Sequence, residues 1–95
     1  MSESSKTTTD HDTIRSWAQA RDARPAHVKG TEEDGGVGVL RLDFPAYEGP
    51  PLEHITWDQF FGKFDEQKLA MVYQDETADG KPSNFNKLVS RDSSD

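Results

Sequence analysis

Four aromatic side chains recur at the spacing of a single helical face in this 95-residue chain. An α-helix brings positions i, i+3, i+4 and i+7 to the same side. These four are Trp57, Phe60, Phe61 and Phe64. Just upstream, Thr56 and Gln59 have the spacing of a capping box, and Ile55 is placed to pack against Phe60. We therefore expect a helix over 57–67 whose aromatic stripe must be covered by the rest of the chain.

Little apolar material is available to cover that stripe, because hydrophobic residues make up 32% of the chain and charged residues 31%. Ordering a chain of this size costs on the order of 100 kcal/mol of conformational entropy, so nearly every large apolar side chain must be buried. Both ends of the chain are rich in Ser, Thr and Asp. We expect disordered tails at 1–9 and 92–95 around one domain at 10–91.

Apolar runs predict two pairs of β-strands. After the helix, the runs 69–73 and 85–89 flank a turn with Asp79 and Gly80, which indicates a β-hairpin. The second run also fits a helical face, so a helix over 85–89 stays open. Before the helix, "AHVKG" and "VGVLRLDF" indicate two further strands. One face of the longer run carries Leu40, Leu42 and Phe44.

The first half of the chain shows the order helix–strand–strand again, with a weaker sequence pattern than the second half. Ile14, Trp17 and Ala18 have helical spacing, and when the sequence is aligned with itself at an offset of 43 residues, Trp17 corresponds to Phe60. The proline-rich segment 45–54 is expected to link the two halves. We predict an α+β fold: a small antiparallel sheet with two helices on one face, in the order α-β-β-α-β-β from two pseudo-repeats.

The run Asp10-His11-Asp12 fits either a helix start or a metal site. Asp10 or Thr9 suits an N-cap, and no His or Glu follows His11 at i+3 or i+4 to complete a metal-binding face. His27 and His54 lie in no recognisable ligand pattern, and the glycine-rich run 34–38 opens no helix that could bind phosphate. The sequence therefore predicts no metal, no cofactor and no catalytic residue.

Charge and composition limit the expected partners. Eighteen acidic against eleven basic residues give a formal charge of −7, which disfavours nucleic acid. The lack of cysteine suits a reducing cytosol, and no apolar run is long enough to span a membrane. We expect a cytoplasmic protein without membrane contact, whose oligomeric state the sequence leaves open.

Strand alternation predicts a binding surface on the sheet face that the helices leave open. Because Leu40 and Leu42 are expected to point inward, the residues next to them in the strand should point outward. In the other predicted strands, too, every second residue should point to the outer face. A mixed basic and apolar patch on an acidic protein suits docking to another protein. The residues that we place on this face are Lys29, Val39, Arg41, Val72 and Lys87.

Three runs of the chain resemble a family of small uncharacterised bacterial proteins: "DHDTIRSWAQARDARPAHVKGT", "GVLRLDFP" and "WDQFFGKFDEQKLAMVYQDETADGKPSNFNKLVSR". The resemblance covers residues 9–91 and implies no established catalytic residue. Members often carry the label alpha-glucan branching enzyme, but that enzyme's barrel needs roughly 200 residues or more, so size excludes the activity. The family commonly has Gly-Gly where this chain has "RDARPA", so Asp22 or Ala23 is expected to replace a left-handed glycine.

The leading functional prediction is a small non-catalytic cytoplasmic binding or regulatory module that acts through contact with an unidentified protein. Two alternatives stay open. The locally basic stretch 15–29 would suit a nucleic-acid-associated regulator. A shallow site near His27, Arg41 and Asp43 would suit a small enzyme.

Overall fold

The structure is a computed structural model that describes residues 5–32 and 36–91. Its strands pair antiparallel throughout, which confirms the α+β class. The elements are β1 (Lys6–Thr8), α1 (His11–Gln19), β2 (Arg24–Val28), β3 (Leu40–Asp43), β4 (Leu52–His54), α2 (Trp57–Glu66), β5 (Leu69–Tyr73) and β6 (Asn86–Ser90). The segment 85–89 therefore belongs mainly to a strand. Residues 1–4 of the predicted N-terminal tail, all of the tail 92–95 and part of the glycine-rich run 34–38 lie outside the described residues.

The strands form two three-stranded sheets where the sequence predicted one. Their strand orders are β1-β5-β6 and β3-β2-β4. β1 lies within the segment 1–9, predicted to be a disordered tail, and β4 lies within the predicted linker 45–54. Both strands are only three residues long, so side-chain alternation cannot signal them. Main-chain hydrogen bonds to a central strand hold them in place, and those depend on the tertiary fold.

The two halves of the chain share the order β-α-β-β, at an offset of 46 residues rather than 43. At this offset the first residue of β1, Lys6, corresponds to the first residue of β4, Leu52, and the N-cap Asp10 corresponds to the N-cap Thr56. The left-handed residue Asp22 corresponds to the left-handed residue Lys68. The first residue of β3, Leu40, corresponds to the first residue of β6, Asn86. The first strand of each half joins the sheet of the other half, since β1 pairs with β5 and β4 with β2. The two halves are therefore interlocked.

Local signals set both ends of α1. The Asp10 carboxylate accepts hydrogen bonds from the Thr13 hydroxyl at 2.7 Å and the Thr13 main-chain N–H at 2.9 Å, so of the two expected N-cap residues Asp10 is the cap and Thr9 is not. Both bonds lower the pKa of Asp10, and the bond from the Thr13 hydroxyl has the larger effect. At the other end Asp22 has φ 58°, the left-handed position expected for Asp22 or Ala23. Ala23 then donates its N–H to the Ala18 carbonyl at 2.9 Å, which closes the helix.

α2 begins with the predicted capping box. The Thr56 hydroxyl accepts from the Gln59 main-chain N–H at 3.0 Å, and the Gln59 side chain accepts from the Thr56 N–H at 2.9 Å. Phe60 and Phe64 are fully buried, as the aromatic stripe predicted, while Trp57 is half-buried. The helix ends at Glu66, one residue before the predicted end.

One hydrophobic cluster joins both helices and both sheets. The α2 stripe packs with Leu40 and Leu42 of β3 and with Met71 and Tyr73 of β5. The indole of Trp17 contacts one ring from each half, Phe44 at 6.0 Å and Tyr73 at 5.9 Å between centroids, both in edge-to-face geometry. The core therefore lies between the inner faces of the sheets, which leaves their outer faces toward solvent.

Candidate functional site

The five residues predicted for one binding face lie on two separate sheets. Val39 and Arg41 belong to the β3 edge and Lys29 follows β2, whereas Val72 is on β5 and Lys87 on β6. All except the half-buried Val72 are exposed. Because alternation now defines one outer face per sheet, the predicted single patch is divided into two.

The outer face of the β3-β2-β4 sheet carries two arginines and one aspartate. Ala26 stands opposite Arg41 on one side and His54 on the other, and Arg24 stands opposite Asp43. Directly paired residues project to the same side of a sheet. We call this surface the basic face; it consists of Arg24, Val28, Val39, Arg41, Asp43, Leu52 and His54, with the fully buried Ala26 among them.

Both arginines of the basic face are exposed, and its single acid is engaged locally. His54 Nε2 lies 2.7 Å from the Asp43 carboxylate, with side-chain exposures of 49% and 26%. Arg41 donates one N–H to its neighbour's carbonyl, Leu40 O, at 2.9 Å. The Arg24 side chain has no hydrogen-bond or ion-pair partner within residues 5–32 and 36–91. The face thus presents two guanidinium groups whose charge Asp43 does not cancel.

A cleft of about 630 Å³ opens at one end of the basic face, between the end of α1 and the start of α2. Its polar lining consists of Gln19, Asp22, Arg24, Asp43 and His54, and Phe44 and Trp57 contribute aromatic surface. The Trp57 ring stacks on the buried Phe61 with centroids 5.4 Å apart, so its position is set by the core. The cleft is large enough to accept one or two side chains of a partner.

His27 lies on the opposite side of β2 from the basic face. Its register partner is the buried Leu40, and His27 is only 5% exposed. Because Arg41 and Asp43 project outward, β2 and β3 separate them from the imidazole. The enzyme site expected near His27, Arg41 and Asp43 is therefore not assembled.

Two carboxylates and one main-chain amide surround His27. Nδ1 accepts a hydrogen bond from the Gly38 N–H at 2.8 Å, and Nε2 lies 3.0 Å from Glu53 Oε1 and 3.4 Å from Glu32 Oε2. Sequence reasoning missed both carboxylates. Glu53 reaches His27 only through the pairing of β4 with β2, and Glu32 only through the turn that follows β2.

The Asp10-His11-Asp12 run separates into three different contacts. Asp10 caps α1, Asp12 pairs with Arg15 at 2.7 Å, and the His11 ring stacks on Phe61 with centroids 4.1 Å apart. His11 Nε2 also lies 2.9 Å from the Asp65 carboxylate, which pairs with Arg91 at the same distance. The hydrogen bond from His11, followed by that from Arg91, lowers the pKa of Asp65.

The basic stretch 15–29 does not present its charges as one surface. Arg15 is paired with Asp12. Arg21 lies 4.2 Å over the Trp17 ring and donates to the main-chain carbonyls of Ser83 and Asp75 at 2.6 and 2.9 Å. Burial lowers the pKa of Arg21. Of the four basic side chains, Arg24 and Lys29 stand exposed at opposite ends of β2.

Comparison of the chain with protein-family models, with curated proteins and with solved structures found no match. The resemblance to the small bacterial family therefore stays a prediction. Within the described part of the chain, no helix has the length and apolar character needed to cross a membrane.

Proposed function

We propose that this protein is a small, non-catalytic, cytoplasmic binding module whose basic face docks an acidic segment of another protein. The observation that carries the proposal is the local excess of two arginines, Arg24 and Arg41, over the single acid Asp43 on this face, in a chain of formal charge −7. A surface of opposite sign to the whole molecule selects partners by charge complementarity.

Arginine and apolar surface alternate on the basic face. Val39 is 46% exposed, and the half-buried Val28 and Leu52 lie beside the charged rows. Guanidinium groups bind carboxylates in a planar, two-point geometry, which lysine cannot reproduce. Exposed apolar side chains next to such groups add contact area that a partner can bury. The face therefore suits a segment in which acidic and apolar residues are mixed.

The cleft extends the same surface beyond the sheet. Arg24, the His54–Asp43 pair and Trp57 all line this cleft. We infer that a carboxylate of the segment binds at Arg24 while a neighbouring apolar side chain contacts Trp57. Aromatic side chains held in place by a core are frequent centres of binding energy.

The experiment compares capture of native-lysate proteins by the wild type and two charge reversals, Arg41→Glu and Lys87→Glu. Each lowers the formal charge by the same amount, but Arg41 is on the basic face and Lys87 on the outer face of the β1-β5-β6 sheet. We expect one partner to bind the wild type and the Lys87→Glu protein and to be lost from Arg41→Glu. Binding should also weaken as salt concentration rises.

Amide shift mapping with the captured partner then locates the contact. Perturbations should concentrate at 24–28, 39–43 and 52–57. Equal capture by Arg41→Glu and the wild type, or perturbations confined to the helices, would refute the proposal. Loss of capture in Lys87→Glu alone would move the binding surface to the other sheet.

A further inference from the structure

We propose that His27, Glu32 and Glu53 form a site for a divalent transition-metal ion, with zinc as the expected occupant. One ligand atom from each residue, an imidazole nitrogen and two carboxylate oxygens, lies within 4.8 Å of the others. The fold brings them together, because Glu53 stands opposite His27 across the β2–β4 pair and the turn after β2 returns Glu32 to the same place.

The spacing of these atoms suits tetrahedral zinc. With metal–ligand bonds of about 2.0–2.2 Å, neighbouring ligand atoms are roughly 3.3–3.6 Å apart. In the structure His27 Nε2 lies 3.4 Å from Glu32 Oε2 and 3.0 Å from Glu53 Oε1. The two carboxylate oxygens lie within 4.8 Å of each other, so adjustment of the two glutamate side chains would admit the ion. The fourth position would face a cavity of about 350 Å³ whose lining includes His27, Glu32 and Glu53.

The charges at the cluster also favour a cation. Two carboxylates converge on an imidazole whose Nδ1 accepts a hydrogen bond and which is therefore neutral. The Gly30 N–H donates to Glu32 Oε1 at 2.9 Å, so that oxygen is held while Oε2 faces His27. A divalent ion would offset the two negative charges.

The Gly38 hydrogen bond sets a condition for binding. Because Nδ1 accepts from the Gly38 N–H, the ring hydrogen of His27 resides on Nε2. Coordination through Nε2 requires that hydrogen to be on Nδ1, so the Gly38 N–H must turn away. Gly38 is packed tightly: a Cβ built on it would lie 2.8 Å from the Thr31 carbonyl carbon and 2.9 Å from the Glu32 nitrogen. Metal binding should therefore change the His27 tautomer and the Gly38 amide together.

The test is a titration of the full chain with zinc sulfate, followed by calorimetry and by nitrogen-15 NMR. We expect saturable one-to-one binding, exchange of the protonated nitrogen in the His27 ring, and a large shift of the Gly38 amide. Glu53→Gln and Glu32→Gln keep the shape of each side chain and should each weaken zinc binding at least about tenfold. The control is His11→Gln, which removes an exposed His–Asp pair elsewhere and should leave the affinity unchanged.

Two results would overturn the site. One is the absence of heat and of amide shifts up to millimolar zinc. The other is binding with equal affinity by the wild type, Glu53→Gln and Glu32→Gln, which would place the ion elsewhere. His27→Ala alone is a weaker test because the side chain is buried and its loss also affects folding. None of these readouts depends on partner capture by the basic face.

Discussion

Replacement of Phe60 by alanine tests whether the α2 stripe is the centre of the core. Phe60 has no exposed surface, and its ring meets those of Trp57, Phe61 and Phe64 at centroid distances of 5.4, 5.5 and 6.1 Å. Truncation of a buried phenylalanine costs about 3–5 kcal/mol, and each aromatic pair carries roughly 0.5–1.5 kcal/mol beyond burial. We expect a loss near the upper end of that range, because all three contacts disappear together.

The assay is urea unfolding followed by far-ultraviolet circular dichroism. Phe85→Ala is the matched control: it removes the same atoms from a side chain that is 48% exposed, so the free energy of unfolding should change by no more than about 0.5 kcal/mol. A domain of this size has a total stability of about 5–14 kcal/mol, so Phe60→Ala should still fold at low temperature or in stabilising salt. Equal urea midpoints for the two variants would refute the core assignment. Should Phe60→Ala fail to fold, Phe60→Leu must still unfold at lower urea than Phe85→Ala.

Three further predictions concern single side chains and use the same unfolding measurement. Thr56→Ala should cost about 1 kcal/mol by removing the capping box of α2, and no loss would show that the box is not formed in solution. Gly38→Ala should cost about 1–3 kcal/mol because the new methyl group would meet Thr31 and the main chain beside it, whereas Gly62→Ala, on the open surface of α2, should stabilise by up to about 1 kcal/mol. The pKa of Asp65 is lowered from 3.8 in the fold, so its contribution is complete above pH 3.8 and is lost as pH falls through the lower folded value. The stability deficit of Asp65→Asn at neutral pH should therefore shrink in acid, and a constant deficit would contradict the assigned contacts.

The elements that sequence reasoning located carry their signals within a few residues. The capping box of α2 needs only Thr56 and Gln59, and the aromatic stripe repeats at helical period, so the helix is decided locally. β1 and β4 carry no such signal. Each has three residues, and each is held by hydrogen bonds to a strand far away in the chain. A prediction of two sheets would have required knowledge of that pairing.

In the candidate sites, too, some features are signalled by neighbouring residues and others depend on pairing between distant strands. Alternation around Leu40 and Leu42 places Val39 and Arg41 outward, and the structure confirms their exposure; their binding role stays a prediction. In β2 three consecutive residues, Pro25 to His27, are buried, so the burial pattern does not show which face His27 occupies. The register decides it, because His27 stands opposite Leu40. A histidine turned toward the core could then meet carboxylates that lie far from it in sequence.

Alternation along β4 also makes the two proposals separable by neighbouring substitutions. Glu53 projects to the side of His27, while the next residue, His54, projects to the basic face beside Asp43. Glu53→Gln should therefore weaken zinc binding and leave partner capture unchanged, whereas His54→Gln should weaken capture and leave zinc binding unchanged. Both substitutions leave the main-chain hydrogen bonds of β4 in place, so the position of the strand should not change. If either variant altered both properties, the two sites would be coupled through β4, and their separation by the sheet would be wrong.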